Sequence, residues 1–367
     1  MSDEIRVGML SFAHVHAEFR AKALSEIPGA RVVAVADDNE ARGRDAADRH
    51  AGGELSRDWR ELVARGDLDL IMVHSENARH AEQVVAIAEA GIDVFCEKPV
   101  ATTVADGRRM LEAVERAGVD ATVAFVSRFS QEAERAKRIV DTGVLGEIVN
   151  ARSLIGLAGV AEIGCPPDMV AWFEDEEASG GGAWIDEGAH AIDLLRWLVG
   201  EIDRIALLTA RRAKPHLQSE DIAVASIGFA SGALGEVTTS WSLNVDVGMR
   251  NTLELYGTGG TLVLEPTALH PQVSLYTTDL PAELRGWVTP HITPDEAEPH
   301  DYTSWPPHVH HYKREVAAYI ERRRAGSRPY GPTMRDGFAC LEVLAAGYES
   351  ARSGRIQRLD GANAPID

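Results

Sequence analysis

Short apolar runs alternate with amphipathic helical segments through the first 125 residues of the chain. The strand-like runs are Ile5–Leu10, Arg31–Ala36, Leu68–His74, Ile92–Cys96 and Asp120–Val126. The helical segments are His16–Ile27, Trp59–Ala64, Ala78–Ala90 and Thr103–Ala117. Apolar strands that are separated by helices form a parallel sheet with helices on both faces. The alternation therefore predicts an α/β fold, with a doubly wound parallel sheet in a domain formed by residues 1–125.

Beyond residue 125 the pattern changes to strand-like runs with only occasional helices. The strand-like runs are Glu147–Ile155, Ile202–Thr209, Ile222–Phe229, Leu234–Ser242, Thr252–Gly257 and Thr261–Glu265, and helical patterns lie at Gln131–Thr142 and Ala189–Leu198. This pattern favours an antiparallel or mixed sheet in an α+β domain formed by residues 126–367. Residues 280–308 are typical of an irregular loop. Two helices, Val309–Arg324 and Arg335–Ser350, follow the loop and are candidates for packing back on the first domain.

The charge of the chain limits its partners. There are 37 Lys and Arg against 57 Asp and Glu, which gives a formal net charge of −20. Nucleic acids and anionic membrane surfaces attract an excess of positive charge, so we expect neither as a partner. No run approaches the roughly 18 apolar residues of a transmembrane helix. Three widely spaced cysteines, Cys96, Cys165 and Cys340, indicate no disulfide framework and favour the reducing cytoplasm.

The turn after the first strand is the place where a doubly wound sheet binds a dinucleotide. There a glycine-rich turn lets the pyrophosphate reach the N-terminus of the following helix. Here Ser11, Ala13 and His16 stand at the three glycine positions. The two small side chains still permit close approach of the backbone, whereas His16 points its ring into the site or shifts the helix.

Asp37 and Asp38 end the second strand, where an acidic residue usually binds the ribose hydroxyls of adenosine. No arginine follows them immediately, so NAD is favoured over NADP. The alternative is that both aspartates only cap a helix that begins at Asn39.

Several motifs in order along the chain resemble one enzyme family. They are Asn77-Ala78-Arg79-His80, Glu97-Lys98-Pro99, Ser127-Arg128-Phe129, the segment from Gly180 to Asp193, and Gly331-Pro332-Thr333 with Arg335-Asp336-Gly337. This order resembles the Gfo/Idh/MocA family of NAD(P)-dependent oxidoreductases. The resemblance implies a Rossmann domain followed by a domain whose large, open and mostly antiparallel sheet forms homodimers or homotetramers. It also implies oxidation of a secondary alcohol of a sugar, inositol or related polyol.

The resemblance assigns three catalytic residues. Lys98 matches the lysine that touches the substrate hydroxyl and the nicotinamide ribose, and Asp186 matches the substrate-binding aspartate. His190 matches the proposed acid/base, and an imidazole with its ordinary pKa of about 6.5 suits that role. Asp186 and His190 are four residues apart, so in a helix they share a face. The alternative is that Asp186 caps the helix carrying His190 and that both are structural.

The candidate cofactor-binding residues lie in the first turn and at the ends of the next strands. They are Ser11, Phe12, Ala13, His14, Asp37, Asp38, Ser75, Glu76, Asn77, His80, Glu97 and Lys98.

Departures from the family pattern support a second hypothesis. His14, His16, His74 and Glu76 all fall at the carboxyl edge of the predicted sheet, where imidazoles and carboxylates can bind a divalent metal. Such a site would convert the scaffold to a metal-assisted lyase, isomerase or hydrolase acting on a sugar. A third reading is a ligand-binding or regulatory protein that has lost hydride transfer, but Lys98, Asp186 and His190 argue against it.

Three further side chains have two interpretations each. Trp172 and Phe173 either stack on a sugar or anchor a loop to the core. Arg128 follows the last strand of the first domain and either contacts substrate or forms a salt bridge.

Overall fold

A computed structural model describes residues 4–245, 249–265, 272–282, 285–289 and 309–359. These residues divide into two compact units. The first unit contains the described residues of 1–126, 165–180 and 312–341, and the second contains those of 127–164, 181–311 and 342–367. Both units are therefore assembled from separate stretches of the chain.

The first unit is built on a parallel sheet. Its strands are β1 (Ile5–Leu10), β2 (Ala30–Ala36), β3 (Leu55–Ser56), β4 (Leu70–Val73), β5 (Asp93–Cys96) and β6 (Ala121–Val123). Within the described residues the six strands have the order β3-β2-β1-β4-β5-β6, and every pair is parallel. This is the strand order of the dinucleotide-binding doubly wound fold, so the predicted Rossmann sheet is confirmed. Strands β4 and β5 are buried throughout, as a sheet covered on both faces requires.

Helices follow each of the long strands. They are α1 (His16–Glu26), α2 (Glu40–His50), α3 (Trp59–Val63), α4 (His80–Glu89) and α5 (Val104–Ala117). Helix α5 shows why the sequence forms these elements here: the Thr103 hydroxyl accepts from the Asp106 amide at the start, and Gly118 ends the helix in the left-handed conformation. The hydrophobic pattern of the sequence does not predict helix α2, because its buried residues are only Gly43, Ala46 and Ala47.

The second unit contains a sheet that is antiparallel apart from one pair. Its strands are β7 (Ile148–Leu157), β8 (Ile202–Ala210), β9 (Ile222–Phe229), β10 (Leu234–Ser240), β11 (Met249–Gly257), β12 (Gly260–Glu265), β13 (Gln272–Thr277), β14 (Trp287–Val288) and β15 (Gln357–Arg358). Within the described chain their order is β14-β13-β12-β11-β7-β10-β9-β8-β15, and only β7 and β10 pair in parallel. The predicted open, mostly antiparallel sheet is thus confirmed.

Burial along these strands follows the pleat. In β9 the residues Ala223, Ala225 and Ile227 face inward, while Val224 and Ser226 between them are exposed. Strand β14 lies inside the segment for which the sequence predicts an irregular loop, and residues 283–284 and 290–308 of that segment lie outside the described residues.

The remaining helices are α6 (Gln131–Asp141), α7 (Pro167–Phe173), α8 (Glu176–Ser179), α9 (Ala183–Val199), α10 (His310–Arg324) and α11 (Met334–Ser353). Helix α9 packs on β7 and β10 and is buried over most of its surface. The N-terminus of α9 is fixed by Glu220, whose carboxylate accepts from the Trp184 amide at 2.9 Å. The helix therefore begins six residues before the predicted Ala189. None of the described helices has the length and hydrophobicity that a bilayer crossing requires.

We predict that Gly182→Ala destabilises the second unit. A Cβ atom at Gly182 would lie 2.0 Å from the carbonyl oxygen of Glu220, and a backbone atom cannot move aside as a flexible side chain can. Overpacking of this kind costs about 3 kcal/mol of unfolding free energy. Urea denaturation followed by circular dichroism measures the change. Gly286→Ala is the matched control because nothing lies within 4 Å of its added Cβ. Equal unfolding free energies for the two variants would refute the packing argument.

Candidate active-site residues

The turn between β1 and α1 keeps the backbone shape of a glycine turn without the glycines. Ser11 has φ +68°, the left-handed conformation that glycine adopts most readily, and it is the one non-glycine residue with positive φ in the described chain. Its hydroxyl accepts from the Ala13 amide at 3.0 Å, which holds the turn in this conformation. Ala13 is buried and presents only a methyl group to its surroundings.

The other amides of the turn are bonded within the first unit. The His14 amide donates to the carbonyl of His74 at 3.1 Å, and the His16 amide donates to Nδ1 of His14 at 3.2 Å. The Val15 amide donates to the thioether sulfur of Met169 at 3.4 Å. A thioether is a weak acceptor, and a phosphate oxygen is a much stronger one. The Val15 and Ala13 amides can therefore pass to a pyrophosphate, and the turn fits a dinucleotide.

Asp37 lies where a ribose-binding carboxylate is expected, at the end of β2. Its two oxygens accept from Arg42 at 2.8 and 2.9 Å, and one of them also accepts from the Phe12 amide at 2.8 Å. Arg42 also bonds Asp168 at 2.6 Å. Asp38 is exposed and pairs with Arg79 at 2.6 Å.

The alternative that these aspartates cap the helix is wrong about the cap residue. Asn39 itself is the N-cap of α2, because its side chain accepts from the Arg42 amide, and Asp37 accepts from the Asn39 amide at 2.9 Å. Arg42 is a site residue that the sequence prediction missed. Its position just inside a helix that follows the acidic strand end was the available signal.

The side chains after β4 hold the loop together. The Ser75 hydroxyl donates to Gln83 at 2.6 Å, and the Asn77 amide donates to the carbonyl of Ser179 at 2.8 Å. The His80 ring faces the carbonyl oxygens of Pro99 and Ser75 at 3.0 and 3.1 Å. Burial lowers the pKa of His80, so the neutral ring donates to one of these carbonyls. The Ser75 hydroxyl, the Asn77 side-chain nitrogen and the His80 ring are thus engaged within the first unit, whereas the Asn77 side-chain oxygen accepts no hydrogen bond from the described residues.

Glu97 is a fully buried carboxylate at the centre of a polar cluster. Its Oε1 atom makes a short hydrogen bond with Nδ1 of His16 and lies 3.7 Å from Nε2 of His14. Its Oε2 atom accepts from Arg20 at 3.3 Å and from the Lys98 amide at 3.2 Å. The carboxylate therefore ties the first turn and α1 to the end of β5.

Charge and burial set the protonation of this cluster. Burial lowers the pKa values of His14 and His16, so both rings are neutral. Burial alone would raise the pKa of Glu97, but the charge of Arg20 and the hydrogen bond from His16 overcome it and hold that pKa well below its usual range. Glu97 is therefore an anion.

A second buried carboxylate shares the same arginine. Arg20 donates to Glu315 at 2.9 Å through Nε, and its Nη2 atom lies 2.8 Å from the same oxygen. Burial raises the pKa of Glu315 to about 7 despite this partner. The sequence prediction missed both residues. A charged residue on the apolar face of α1, beside Ala17, Ala21 and Leu24, was the signal for Arg20.

The sequence-predicted metal ligands are only partly brought together. Among the described residues, the group within ligand distance is His14, His16 and Glu97. The expectation for His74 and Glu76 is corrected, because neither joins this group. Glu76 pairs with Arg79 at 3.3 Å, and the buried His74 ring has no hydrogen-bond partner in the part of the chain that the structure describes. Glu97 takes their place because its side chain turns back under the first turn.

Asp186 and His190 lie one turn apart on α9 in the second unit, and both are buried. The Trp241 indole donates to Oδ2 of Asp186 at 3.0 Å, and the Ser127 hydroxyl lies 3.4 Å from Nδ1 of His190. The N-cap of α9 is Gly182, so the alternative that Asp186 caps the helix is wrong. The arrangement presents a fixed carboxylate and an imidazole on one face.

The side chains with two interpretations are held by protein contacts. Arg128 makes a bidentate ion pair with buried Asp193 at 2.6 and 2.8 Å, which favours the salt-bridge reading. The Trp172 indole donates to the carbonyl of Ala13 at 3.2 Å, and the Phe173 ring lies 5.5 Å from that of His14. These contacts favour Trp172 and Phe173 as anchors of α7 on the first turn.

Comparison with known proteins gives matches along most of the chain. The oxidoreductase family with an NAD-binding Rossmann fold (GFO_IDH_MocA) matches residues 5–125, and the GFO/IDH/MocA C-terminal domain matches residues 133–263. Levoglucosan dehydrogenase of Pseudarthrobacter phenanthrenivorans is 28% identical over 341 residues, covering 86% of this chain and 84% of that protein. Inositol 2-dehydrogenase 2 of Saccharopolyspora erythraea is 28% identical, covering 98% and 97%.

Solved structures share the fold. Levoglucosan dehydrogenase in complex with NADH superposes with a TM-score of 0.85 at 23% identity, covering 97% of this chain and 99% of that one. An oxidoreductase domain protein from Kribbella flavida has a TM-score of 0.85 at 25% identity, with the same coverage.

We predict that Glu315→Gln changes how stability depends on pH. The folded-state pKa of about 7 lies above the ordinary 4.5, so the folded protein holds this proton more tightly than the unfolded chain does. The stabilisation is complete below about pH 4.5 and is lost as the pH rises through about 7. The unfolding free energy of the unmodified protein should therefore fall relative to the variant over that range, by up to about 3 kcal/mol.

Urea denaturation at a series of pH values measures this difference. Glu321→Gln, at an exposed position of the same helix, is the control and should track the unmodified protein. If the unfolding free energies of the protein and the Glu315→Gln variant changed with pH in parallel, the raised pKa of Glu315 would be contradicted.

Proposed function

Because this chain belongs to the Gfo/Idh/MocA family of NAD-binding oxidoreductases, we propose that it transfers a hydride between NAD and a secondary hydroxyl of a sugar, inositol or related polyol. The observation that carries the proposal is the pair Asp186 and His190, buried one turn apart and each fixed by a neighbouring side chain. The names of its relatives, among them levoglucosan, inositol and D-apiose dehydrogenases, support a polyhydroxylated substrate.

In this mechanism His190 removes the proton of the substrate hydroxyl. A base that ordinarily titrates near neutrality suits that transfer. Asp186, held by the Trp241 indole, accepts hydrogen bonds from substrate hydroxyls and so fixes which carbon reacts. Lys98 binds the reacting hydroxyl with its ammonium group and stabilises the negative charge that develops on oxygen as the proton leaves. NAD, when bound, accepts the hydride.

The cofactor residues divide into two groups. The turn formed by Ser11, Phe12, Ala13 and His14 lies against the pyrophosphate, which accepts from the Ala13 and Val15 amides at the start of α1. Asp37 with Asp38 holds the adenosine ribose. The carboxylates of Asp37, Asp38 and Asp168 outnumber Arg42 and Arg79 around this strand end, which disfavours the extra phosphate of NADP. The residues at the ends of β4 and β5 complete the proposal for the nicotinamide half: Ser75, Glu76, Asn77, His80, Glu97 and Lys98.

The relatives named above are dehydrogenases, and none of their names supports the metal-assisted lyase, isomerase or hydrolase.

We also propose self-association through the outer face of the second sheet. There Leu208 and Val224 are direct cross-strand neighbours and leave 78% and 45% of their surfaces exposed. The three cysteines form no disulfide, which supports the proposed cytoplasmic location.

The first experiment compares His190→Asn, Asp186→Asn and Lys98→Met in an assay of nicotinamide absorbance against a panel of sugars and polyols. We expect His190→Asn to lower kcat by about 10²- to 10⁴-fold, since that is the usual contribution of a general base. Asp186→Asn should raise KM as well, because it weakens substrate binding. Lys98→Met should lower kcat without altering folding.

The control for this series is His216→Ala, an exposed histidine on the second unit, which should keep full activity. If His190→Asn turns over at the rate of the control on the best substrate, the assignment of the base is wrong. If no sugar or polyol reduces NAD at all, the proposed function fails.

A second experiment concerns Asp37→Asn. Loss of the carboxylate charge removes both a ribose acceptor and the repulsion of a 2′-phosphate, so the preference for NAD over NADP should fall at least about tenfold. Tryptophan fluorescence during titration with each nucleotide measures the two dissociation constants. Asp48→Asn, an exposed aspartate on α2, is the matched control. An unchanged NAD-to-NADP ratio would remove Asp37 from the ribose site.

A further inference from the structure

Three metal-ligating side chains meet beneath the first turn. His14 lies in the turn between β1 and α1, His16 is the first residue of α1, and Glu97 follows β5 at the same edge of the sheet. One ligand atom from each residue lies within 4.8 Å of the other two. His14 and Glu97 are buried, and the His16 side chain is 16% exposed.

Hydrogen bonding leaves this group incomplete. The nitrogens of His14 and His16 both face Oε1 of Glu97, but only His16 is within hydrogen-bond distance of it. Nε2 of His14, at 3.7 Å, is buried and has no hydrogen-bond partner among the described residues. A buried nitrogen without a partner is costly, and a group that bound Nε2 would remove that cost.

We propose that His14, His16 and Glu97 bind a divalent transition metal ion of the zinc class. Two imidazole nitrogens and one carboxylate oxygen are a donor set that zinc uses, and the three ligands leave a fourth tetrahedral position for water or another ligand. An ion held here joins the first turn to the end of β5, so it stabilises the first unit as well as adding a Lewis acid.

The surroundings of the cluster suit such an ion. Arg20 bonds Oε2 of Glu97 and leaves Oε1 to the histidines, which orients the carboxylate in the manner of an outer-shell partner. Two carboxyl groups, those of Glu97 and Glu315, surround the single positive charge of Arg20, which favours an additional cation. The nearby positive charge of Lys98 disfavours it.

Binding has a structural consequence at His14. Coordination through Nε2 places the ring proton on Nδ1, so the His16 amide gives up its 3.2 Å bond to that nitrogen. The amide then becomes one of the unpaired first amides of α1, which bind water or an anion at any helix start.

The test uses the full chain and zinc alone. The protein is stripped with a chelator, dialysed against Zn²⁺, passed through a desalting column and analysed for metal by mass spectrometry. We expect one zinc per chain. His14→Ala and His16→Ala should each raise the apparent Kd for Zn²⁺ at least tenfold, and zinc should raise the Tm of the unmodified protein but not of these variants. Cobalt in place of zinc should give the visible absorption of a tetrahedral site.

His216→Ala is the control for surface histidines and should retain the metal. Glu97→Gln provides a second probe that keeps the shape of the side chain while removing the anionic ligand, and it should also lose the metal. Metal retained equally by all variants, or no metal above the level of a chelator-treated blank, overturns the proposal. The measurement needs neither nucleotide nor sugar, so its failure leaves the proposed dehydrogenase untouched, and the failure of that activity leaves the metal count standing.

Discussion

The buried carboxylate of Glu97 is the interaction on which the first unit depends. It accepts from the side chains of His16 and Arg20, both on α1, and from the backbone amide of Lys98. A charge removed from water in this way is stable only while every partner remains, and loss of one partner leaves an uncompensated ion in the core. The carboxylate therefore fixes the relative positions of His16, Arg20 and Lys98. Glu97 is thus one of the three candidate metal ligands, lies next to the other two, and is followed in the chain by the proposed hydroxyl-binding Lys98.

A steric constraint has the same role in the second unit. Gly181 and Gly182 pass so close to Tyr348 and Glu220 that no side chain fits on either residue. The Glu220 carboxylate then accepts from the Trp184 amide and from the Tyr348 hydroxyl, which starts α9 at a defined residue. Because a helix rotates 100° per residue, the position of its first turn decides where Asp186 and His190 point. The site geometry is thus set by two residues that carry no functional group.

Much of the fold could be predicted from the sequence because burial leaves a periodic trace. Strands β1 and β9 have the predicted bounds, since both are mainly apolar runs that follow an acidic residue. Helices α2, α7 and α8 left little trace. The inner face of α2 is only glycine and alanine, and α7 and α8 are seven and four residues long.

The candidate site was less predictable because its partners come from distant parts of the chain. The position of Asp37 follows from the strand that precedes it, but nothing in the sequence pairs Glu97 with Arg20 or brings Glu315 to the same guanidinium. Glu76 and Glu97 both follow central strands of the sheet, and only the packing of side chains decides which one turns toward His14 and His16. The sequence therefore predicts which residues lie at the strand ends, but the direction in which each side chain points depends on tertiary packing.

The single parallel pair of the second sheet has a consequence for how the chain acquires its structure. Strand β7 pairs with β10 and β11, and Asn150 of β7 lies 84 residues before its partner Leu234. A ribosome that has just made β7 has produced neither of its neighbours. This central strand therefore has no pairing partner until about a hundred more residues have been synthesised. Loop closure over such lengths is slow. Assembly of the second unit should be the late step of folding, and the step at which this chain is most open to aggregation and to chaperones.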